Sequence, residues 1–222
     1  DGWHIASYTF NGTTTTLGSN ADVYAQVYVN NMMTDTTITV VFERNTFRLI
    51  TTVERGMGSW NVDTIDLHYG DSYDFIATAD TDNGWHIDRI IVGDSITMYT
   101  GNTSSVTYTI NPVVADTILR AYFAINQYTL TASVSGEGTG TINPVGDSTV
   151  IDRATVEYTI HAEDCSFIDQ VLVDGTPVEV TDSIDMVYTF AVINSDHTIE
   201  AVFTPNTYYM SSVAVGNGTV NE

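Results

Sequence analysis

The chain has 222 residues and a formal net charge of −22, from 28 Asp and Glu residues against six Arg and no Lys. Such a surface repels phosphate backbones and anionic lipid headgroups, which disfavours binding to nucleic acids or to a membrane surface. No apolar run approaches the ~20 residues of a membrane span, so no membrane insertion is expected. The single cysteine, Cys165, has no partner for an intrachain disulfide. With 35 Thr and 25 Val against six Leu, the composition favours strands and predicts an all-β chain.

Internal repetition is the most informative feature of the sequence. One segment occurs three times, as DTTITVVFE from Asp35, DTILRAYFA from Asp116 and DHTIEAVFT from Asp196. Each copy leads through an Asn into an aromatic strand that ends at a Gly-x-Gly. The three Asn residues are Asn45, Asn126 and Asn206, and the glycine pairs are Gly56 and Gly58, Gly136 and Gly138, and Gly216 and Gly218. The sequence therefore predicts a tandem repeat of about 80 residues.

The landmarks divide the chain into two complete repeats, at 46–126 and 127–206. Residues 1–45 correspond to the C-terminal half of an earlier copy, and 207–222 to the N-terminal start of a further copy. No Pro-, Gly- or Ser-rich linker separates the copies, so neighbouring modules are expected to be held semi-rigidly. Because neither end is a complete module, the sequence predicts an excerpt of a longer repetitive chain that continues in both directions.

Within each copy the apolar residues recur with a period of two. Ile199, Ala201 and Phe203 fall on one face of a strand, in the alternation of a half-buried strand. The motif GWHI occurs at Gly2 and Gly84, with a degenerate third version, CSFI, at Cys165. Each version precedes a dipeptide that suits a primed hairpin turn: Asn11-Gly12, Gly93-Asp94 and Asp174-Gly175. We expect about six short strands per copy, folded as small antiparallel β-sandwich-like modules in an elongated array.

Several blocks of the sequence carry a family resemblance. GWHIDRIIVGD, SFIDQVLVDG, VYTFAVINSDHTIEAVF and YTLTASVSGEGTGTINP resemble the divergent InlB B-repeat-like modules of bacterial surface proteins. The resemblance implies an extracellular location at the bacterial cell surface. It also implies a structural stalk, filament or adhesin-like role without catalytic residues. The implied partners are neighbouring repeats of the same chain or identical chains.

An enzymatic alternative rests on Ser95. The block RIIVGDSITM resembles the nucleophile block of GDSL-type esterases, in which Ser attacks the ester and a His takes its proton. However, that family's later Gly-x-Asn-Asp block is missing, and no Asp-x-x-His follows Ser95. Gly-Asp-Ser also occurs at Gly70 and Gly146, and Gly93-Asp94 aligns with a hairpin turn. We therefore interpret the motif as a turn and expect no enzyme activity.

Clustered carboxylates make calcium the candidate metal. The candidate ligands are Asp80 and Asp82, which precede GWHI, and the Glu163-Asp164 pair, which precedes CSFI. Their spacing does not fit an EF-hand loop, and the five His residues lack zinc-site spacing. The alternative is a solvated acidic surface. A calcium site predicts that millimolar calcium raises the melting temperature more than magnesium does.

The tryptophans raise a second class of function, a glycan-binding module whose partners are surface glycans. Trp3 and Trp85 occupy equivalent places in two copies, which indicates a core role. Trp60 follows the Gly-x-Gly turn, so it is the candidate for an exposed ring on which a sugar stacks.

Overall fold

Strands make up nearly all the regular structure of the computed structural model, which confirms the all-β prediction. The structure describes residues 2–20, 23–99, 101–213 and 215–217. The chain divides into two units, Asp1–Asn126 and Gln127–Glu222. The helical content of the described residues is a single 3₁₀ turn, Thr81–Asn83. None of the described helical segments is long and apolar enough to cross a membrane.

The first unit begins with a three-stranded antiparallel sheet. Its strands are β1 (Trp3–Phe10), β2 (Thr13–Thr16) and β3 (Ile38–Arg44), and their order in the sheet is β2-β1-β3. Because β3 pairs with β1 alone among the described residues, its other edge has no strand beside it.

Eight further strands, which we call set one, complete the first unit. They are β4 (Thr46–Arg55), β5 (Gly58–Trp60), β6 (Thr64–His68), β7 (Tyr73–Ala79), β8 (Trp85–Val92), β9 (Ser95–Met98), β10 (Ser105–Ile110) and β11 (Thr117–Ile125). Five of them form a sheet in the order β6-β4-β11-β8-β9, and the other three form a sheet in the order β10-β7-β5.

The second unit contains eight strands, which we call set two. They are β12 (Gln127–Gly136), β13 (Gly140–Asn143), β14 (Gly146–Ile151), β15 (Val156–Ala162), β16 (Ser166–Val173), β17 (Thr176–Val178), β18 (Asp185–Phe190) and β19 (His197–Pro205). Their sheets have the orders β14-β12-β19-β16-β17 and β13-β15-β18. Strand for strand, these are the orders found in set one.

The first and last strands of each set lie side by side and run parallel. These pairs are β4 with β11 and β12 with β19, whereas every other pair is antiparallel. Each set thus has eight strands rather than the expected six or so, and its otherwise antiparallel sheets contain one parallel pair. Strands of three or four residues are too short to show a period of two. A pairing between the two ends of a set leaves no local sequence pattern.

In each set, alternate side chains of the last strand are buried in the hydrophobic core. Leu119, Ala121 and Phe123 of β11 are fully buried, as are Ile199, Ala201 and Phe203 of β19. The equivalent positions of β3 are exposed: Ile38 by 44%, Val40 by 41% and Phe42 by 58%. The difference arises because a second sheet packs on β11 and on β19, whereas residues 1–45 supply no second sheet in the described part of the chain.

Residues 23–30 show how strongly the second sheet matters. The sequence VYAQVYVN alternates like a strand, yet it forms none, and Val23, Tyr24 and Tyr28 are each more than 70% exposed. In the order of elements it corresponds to β10 and β18, which pair with β7 and β15. Without a neighbouring strand to supply hydrogen bonds, an extended conformation of residues 23–30 is not stabilised.

The predicted hairpin turns are confirmed. The three dipeptides connect β1 to β2, β8 to β9 and β16 to β17. Both turn residues have positive φ in Asn11-Gly12 (48° and 75°) and Asp174-Gly175 (52° and 73°), as a type I′ turn requires. In the third turn Gly93 has φ 56° at the first position.

Candidate functional site

The junction between consecutive strands is held by histidine and asparagine. Nδ1 of His4 lies 3.1 Å from Oδ1 of Asn45, and Nδ1 of His86 lies 2.6 Å from Oδ1 of Asn126. Each Asn also donates its backbone N–H to a carbonyl, that of Gly2 or Gly84. These side chains fix the end of the last strand to the start of the GWHI strand.

An aspartate at the start of the last strand anchors the first strand of each set. The backbone N–H of Arg48 donates to Asp116 at 2.8 Å, and the backbone N–H of Thr129 donates to Asp196 at 2.7 Å. Both donors come three residues after the junction Asn. Asp35 occupies the same place before β3, but it is exposed and accepts no such bond among the described residues.

Glycines at the end of the first strand pack closely on the last strand's phenylalanine. A Cβ on Gly56 would lie 2.6 Å from the backbone oxygen of Phe123, and one on Gly136 would lie 2.1 Å from that of Phe203. Both glycines have positive φ, 80° and 98°. These positions therefore require glycine for two reasons, the backbone conformation and the lack of space.

A groove lies beside β1 and β3 in the first unit. Its volume is about 510 Å³, and its lining includes Trp3, His4, Phe42 and Tyr69. Trp3 is 52% exposed, and Phe42 is 58% exposed. The predicted core role of Trp3 is therefore wrong, because residues 1–45 lack the sheet that covers the equivalent Trp85.

The sequence predicted an exposed ring for Trp60, and this prediction is wrong. Trp60 is half-buried against both cores of set one, and its Nε1 donates to the carbonyl of Thr52 at 3.0 Å. It pairs with Ala77, as Ile142 pairs with Ile160 in set two. Gly56 and Gly58 are two residues apart, whereas their equivalents Gly136 and Gly140 are four apart, and this difference hid the correspondence in the sequence.

Ser95 begins β9, directly after the Gly93-Asp94 turn. It is exposed, and it pairs with Val92 across the hairpin. The described residues show no hydrogen bond between Ser95 and a histidine. The geometry fits the turn interpretation of this motif.

A serine, a histidine and an aspartate that sequence reasoning did not connect lie together in set two. Ser195 Oγ is 3.3 Å from His197 Nε2, and His197 Nδ1 is 2.7 Å from Asp174 Oδ2. The shallow depression beside them also includes the carboxylate of Asp196. Acyl transfer needs hydrogen-bond donors for the oxyanion that develops on the substrate's carbonyl oxygen, whereas the depression beside His197 is lined by the acidic residues Asp174 and Asp196. The arrangement favours a structural role that ties the β16–β17 turn to β19.

Asp174 is ionised more readily than an ordinary aspartate. Its pKa lies below the usual 3.8, chiefly because the carboxylate accepts the backbone N–H of Thr198, and further because His197 is bound to it. Half of the side chain remains exposed, so solvent screens part of this stabilisation.

The four candidate calcium ligands lie in two turns, one before β8 and one before β16. Asp80 precedes the 3₁₀ turn and accepts a bond from the Asn83 side chain at 2.8 Å, and Asp82 lies within that turn. Glu163 and Asp164 occupy the corresponding turn of set two. Across the described residues, no three His, Cys, Asp or Glu side chains form a group suited to a metal ion. The calcium site stays a prediction: a larger rise in melting temperature with calcium than with magnesium would support it, and equal rises would indicate screening.

Polar contacts hold the end of β3 against set one. Arg44 Nη1 lies 2.7 Å from Asp71 Oδ1, and it also donates to the Tyr69 carbonyl at 3.3 Å. The backbone N–H of His68 and the guanidinium of Arg44 lower the pKa of Asp71 below its ordinary value.

The chain matches no family model, and neither a curated protein nor a solved structure shows significant similarity to it.

Proposed function

We propose that this chain is a non-enzymatic structural segment of a large extracellular bacterial repeat protein. In this role it forms part of a stalk or filament with an adhesin-like function at the cell surface. The proposal includes the tandem repeat, which is supported by the identical strand orders of the two sets. The resemblance of the sequence blocks to surface repeat modules supports the location.

The observation that carries the proposal is the parallel pairing of the first and last strands. Leu49 is level with Thr117, and β11 continues to Ile125. The chain enters at Thr46, three residues before Leu49, and leaves at Ile125, eight residues beyond Thr117. At ~3.3 Å per residue, these two points lie at opposite ends of the strand pair, on the order of 35 Å apart. Tension on the chain pulls β4 and β11 along their lengths in opposite directions. Their hydrogen bonds are then loaded together rather than one after another.

Set two repeats this arrangement. Seven residue pairs join β12 to β19, from Leu130 and His197 to Gly136 and Phe203. One residue, Asn126, separates β11 from β12. Tension that reaches the end of β11 therefore passes directly into the first strand of the next load-bearing pair.

A glycan-binding module is the second candidate, and the open groove that contains Trp3 and Phe42 favours it. Aromatic rings of this exposure suit stacking against a sugar face. Glycan-array screening and ester-hydrolysis assays on the intact chain separate the functions. We expect neither saturable sugar binding nor turnover of a p-nitrophenyl ester.

Single substitutions show which residue is responsible for a positive result in either assay. Sugar binding that is lost in Trp3→Ala, with an unchanged melting curve, would replace the structural proposal with the glycan-binding one. Ester turnover that is lost in Ser95→Ala or in Ser195→Ala would instead show an enzyme. Trp60→Ala is less informative, because it removes part of both cores of set one.

A further inference from the structure

We propose that the outer face of the five-stranded sheet of set one binds the outer face of the five-stranded sheet of set two in a second copy of this chain. The contact joins copies side by side. It rests on the proposed structural function and names the partner, an identical chain. It involves different groups from the strand pairs that carry tension within each set.

Each outer face consists of the side chains that alternate with the core residues of the sheet. The central strands, β11 and β19, contribute three such side chains each: Ile118, Arg120 and Tyr122, and Thr198, Glu200 and Val202. All six remain at least partly exposed. Because the two sheets have the same strand order, their outer faces can be compared position by position.

The face of set one is apolar where that of set two is polar. Ile118 is level with Ile50 on β4, whereas the equivalent pair in set two is Thr198 with Thr131. Ile118 is 39% exposed. Since threonines at these positions support the same sheet, the isoleucines are not required by the fold. They provide apolar surface that a partner can cover.

Arginine is concentrated on the face of set one. It carries three of the six arginines of the chain: Arg48, Arg89 and Arg120. The equivalent positions of set two hold Thr129, Gln170 and Glu200. The carboxylates beside the three arginines are Asp66, Asp88 and Glu54. This face is therefore charge-balanced on a chain whose net charge is −22.

The face of set two offers carboxylates without a cation to balance them. Glu200 lies on β19, and Asp147 lies beside Thr131 on β14. Arg153, the only arginine in the sequence of set two, lies in the turn after β14, 3.7 Å from Asp152. The two faces are therefore complementary in charge, and either face is less suited to a second copy of itself.

Arg120 and Glu200 are the pair that the contact brings together. Each lies at the same place on the central strand of its sheet, so centring one face on the other places them opposite each other. Glu54 lies 3.8 Å from Arg120 Nε, which is beyond hydrogen-bond distance. In the part of the chain that the structure describes, Glu200 forms no ion pair, and its neighbours in register are Ser133 and Leu172. Both charged groups can therefore accept a new partner.

An arginine held flat on the sheet adds to the surface of set one. Arg89 Cζ lies 4.1 Å from the centre of the Tyr122 ring, and the two residues are level in the register of β8 and β11. A stacked guanidinium is already ordered, so less side-chain entropy is lost when a carboxylate binds it.

The size of the faces suits a reversible contact. Five strands at ~4.8 Å spacing and about eight residues at ~3.3 Å give a face on the order of 500 Å². One contact thus buries about 1,000 Å² in total, near the lower limit for a specific interface. Repeated contacts along longer chains add to its strength.

Sedimentation velocity of the intact chain over a range of concentrations tests the proposal. We expect oligomers whose size grows with concentration, because each copy carries one face of each kind and the contact is heterologous. At physiological ionic strength a Debye length of ~8 Å screens the repulsion between distant carboxylates but not groups in contact. A chain that stays monomeric up to millimolar concentration would overturn the proposal.

Charge reversal on either face locates the contact. Arg120→Glu and Glu200→Arg are each expected to weaken association about tenfold or more, because like charges then face each other. An equal mixture of the two variant chains is expected to associate again, since each face then meets the opposite charge on the other chain. The mixture has the average net charge of the unmodified chain, so overall repulsion does not explain a recovery. A mixture that associates no better than its components would contradict the proposal.

Two further variants separate this contact from general effects. Glu157→Arg changes the net charge as Glu200→Arg does, but it lies on β15 in the three-stranded sheet and leaves association unchanged. Ile118→Thr introduces the residue type that set two has at this position. It is expected to weaken association about threefold, with an unchanged melting curve. Association that is indifferent to Ile118→Thr and to both charge reversals would overturn the proposal.

The outcome is independent of the mechanical role, because single-molecule pulling involves one copy of the chain. A chain that resists tension but does not associate contradicts this contact alone. A chain that associates through these faces but yields without resistance contradicts the structural function alone.

Discussion

His86 and Asn126 are 40 residues apart in the sequence, yet Nδ1 of the first lies 2.6 Å from Oδ1 of the second. The pair closes β8 onto the end of β11 and so fixes the point where one set ends and the next strand begins. In set two Phe167 stands where the histidine stands. Among the described residues, this junction has the bond from the backbone N–H of Asn206 to the Cys165 carbonyl and no counterpart of the His–Asn bond.

Removing the asparagine side chain is expected to affect the two junctions differently. Asn126→Ala breaks a partly buried hydrogen bond and leaves His86 without this partner, so it should lower the free energy of unfolding by about 1 kcal/mol. Asn206→Ala removes no such bond and should change it by less than about 0.5 kcal/mol. Urea denaturation of both variants measures the difference. Equal losses would show that the His86 bond contributes nothing.

Replacing Tyr158 with Phe is expected to stabilise set two. Tyr158 is completely buried, and its hydroxyl has no hydrogen-bond partner in the described structure. Set one has Phe75, also fully buried, at the corresponding position of β7. Tyr158→Phe should raise the free energy of unfolding by about 1 kcal/mol, and Phe75→Tyr should lower it by a similar amount. A destabilised Tyr158→Phe variant would indicate that the hydroxyl is bonded to buried water.

Cys165→Gly is expected to relieve backbone strain. Cys165 has φ 64°, in the place where Gly84 has φ 76°. A side chain in this conformation costs ~1 kcal/mol, part of which is offset by the greater freedom of Gly in the unfolded chain. Thermal unfolding should show a gain of about 0.5 kcal/mol for Cys165→Gly and a loss for Gly84→Ala. A loss in both variants would contradict the strain argument.

The contribution of Asp174 to stability should depend on pH. Since its pKa in the folded chain lies below 3.8, its stabilising effect is complete above that value and is lost as the pH falls through the folded pKa. Asp174→Asn keeps a residue that suits the turn, as Asn11 does in β1–β2. The variant should be less stable by about 0.5 kcal/mol at neutral pH, with a difference that shrinks as the pH falls below 3.8. A difference that is constant over this range would exclude the carboxylate as its cause.

Local patterns predicted the longer strands and the three hairpin turns of this fold. The alternation of Ile199, Ala201 and Phe203 correctly marked a strand with one buried face, and the dipeptides marked the hairpin turns. The pairing of β4 with β11 joins residues almost 70 apart, and no local signal encodes it. Trp60 was misread because Gly58 corresponds to Gly140, which became evident only when both were found against a phenylalanine ring.

The exposed surface was also beyond the reach of sequence patterns. Phe42 has the spacing and neighbours of Phe123 and Phe203, so its sequence predicts burial. Its exposure follows from the absence of a covering sheet and a neighbouring strand in the described part of the first unit. Likewise, Ser195, His197 and Asp174 meet because a turn and a strand start converge, although no motif joins them.

Pulling single molecules in two directions tests the load-bearing role most directly. Tension applied through the two ends of the chain shears β12 against β19. Tension applied through Cys165 and the C-terminal end instead peels β16 from β19, since Ser166 pairs with Pro205 at the point of loading. We expect end-to-end pulling to give two unfolding events of roughly 80 residues each, which release on the order of 280 Å of chain apiece, at forces well above those of the peeling direction. Extension without such events, or equal forces in both directions, would contradict the structural function.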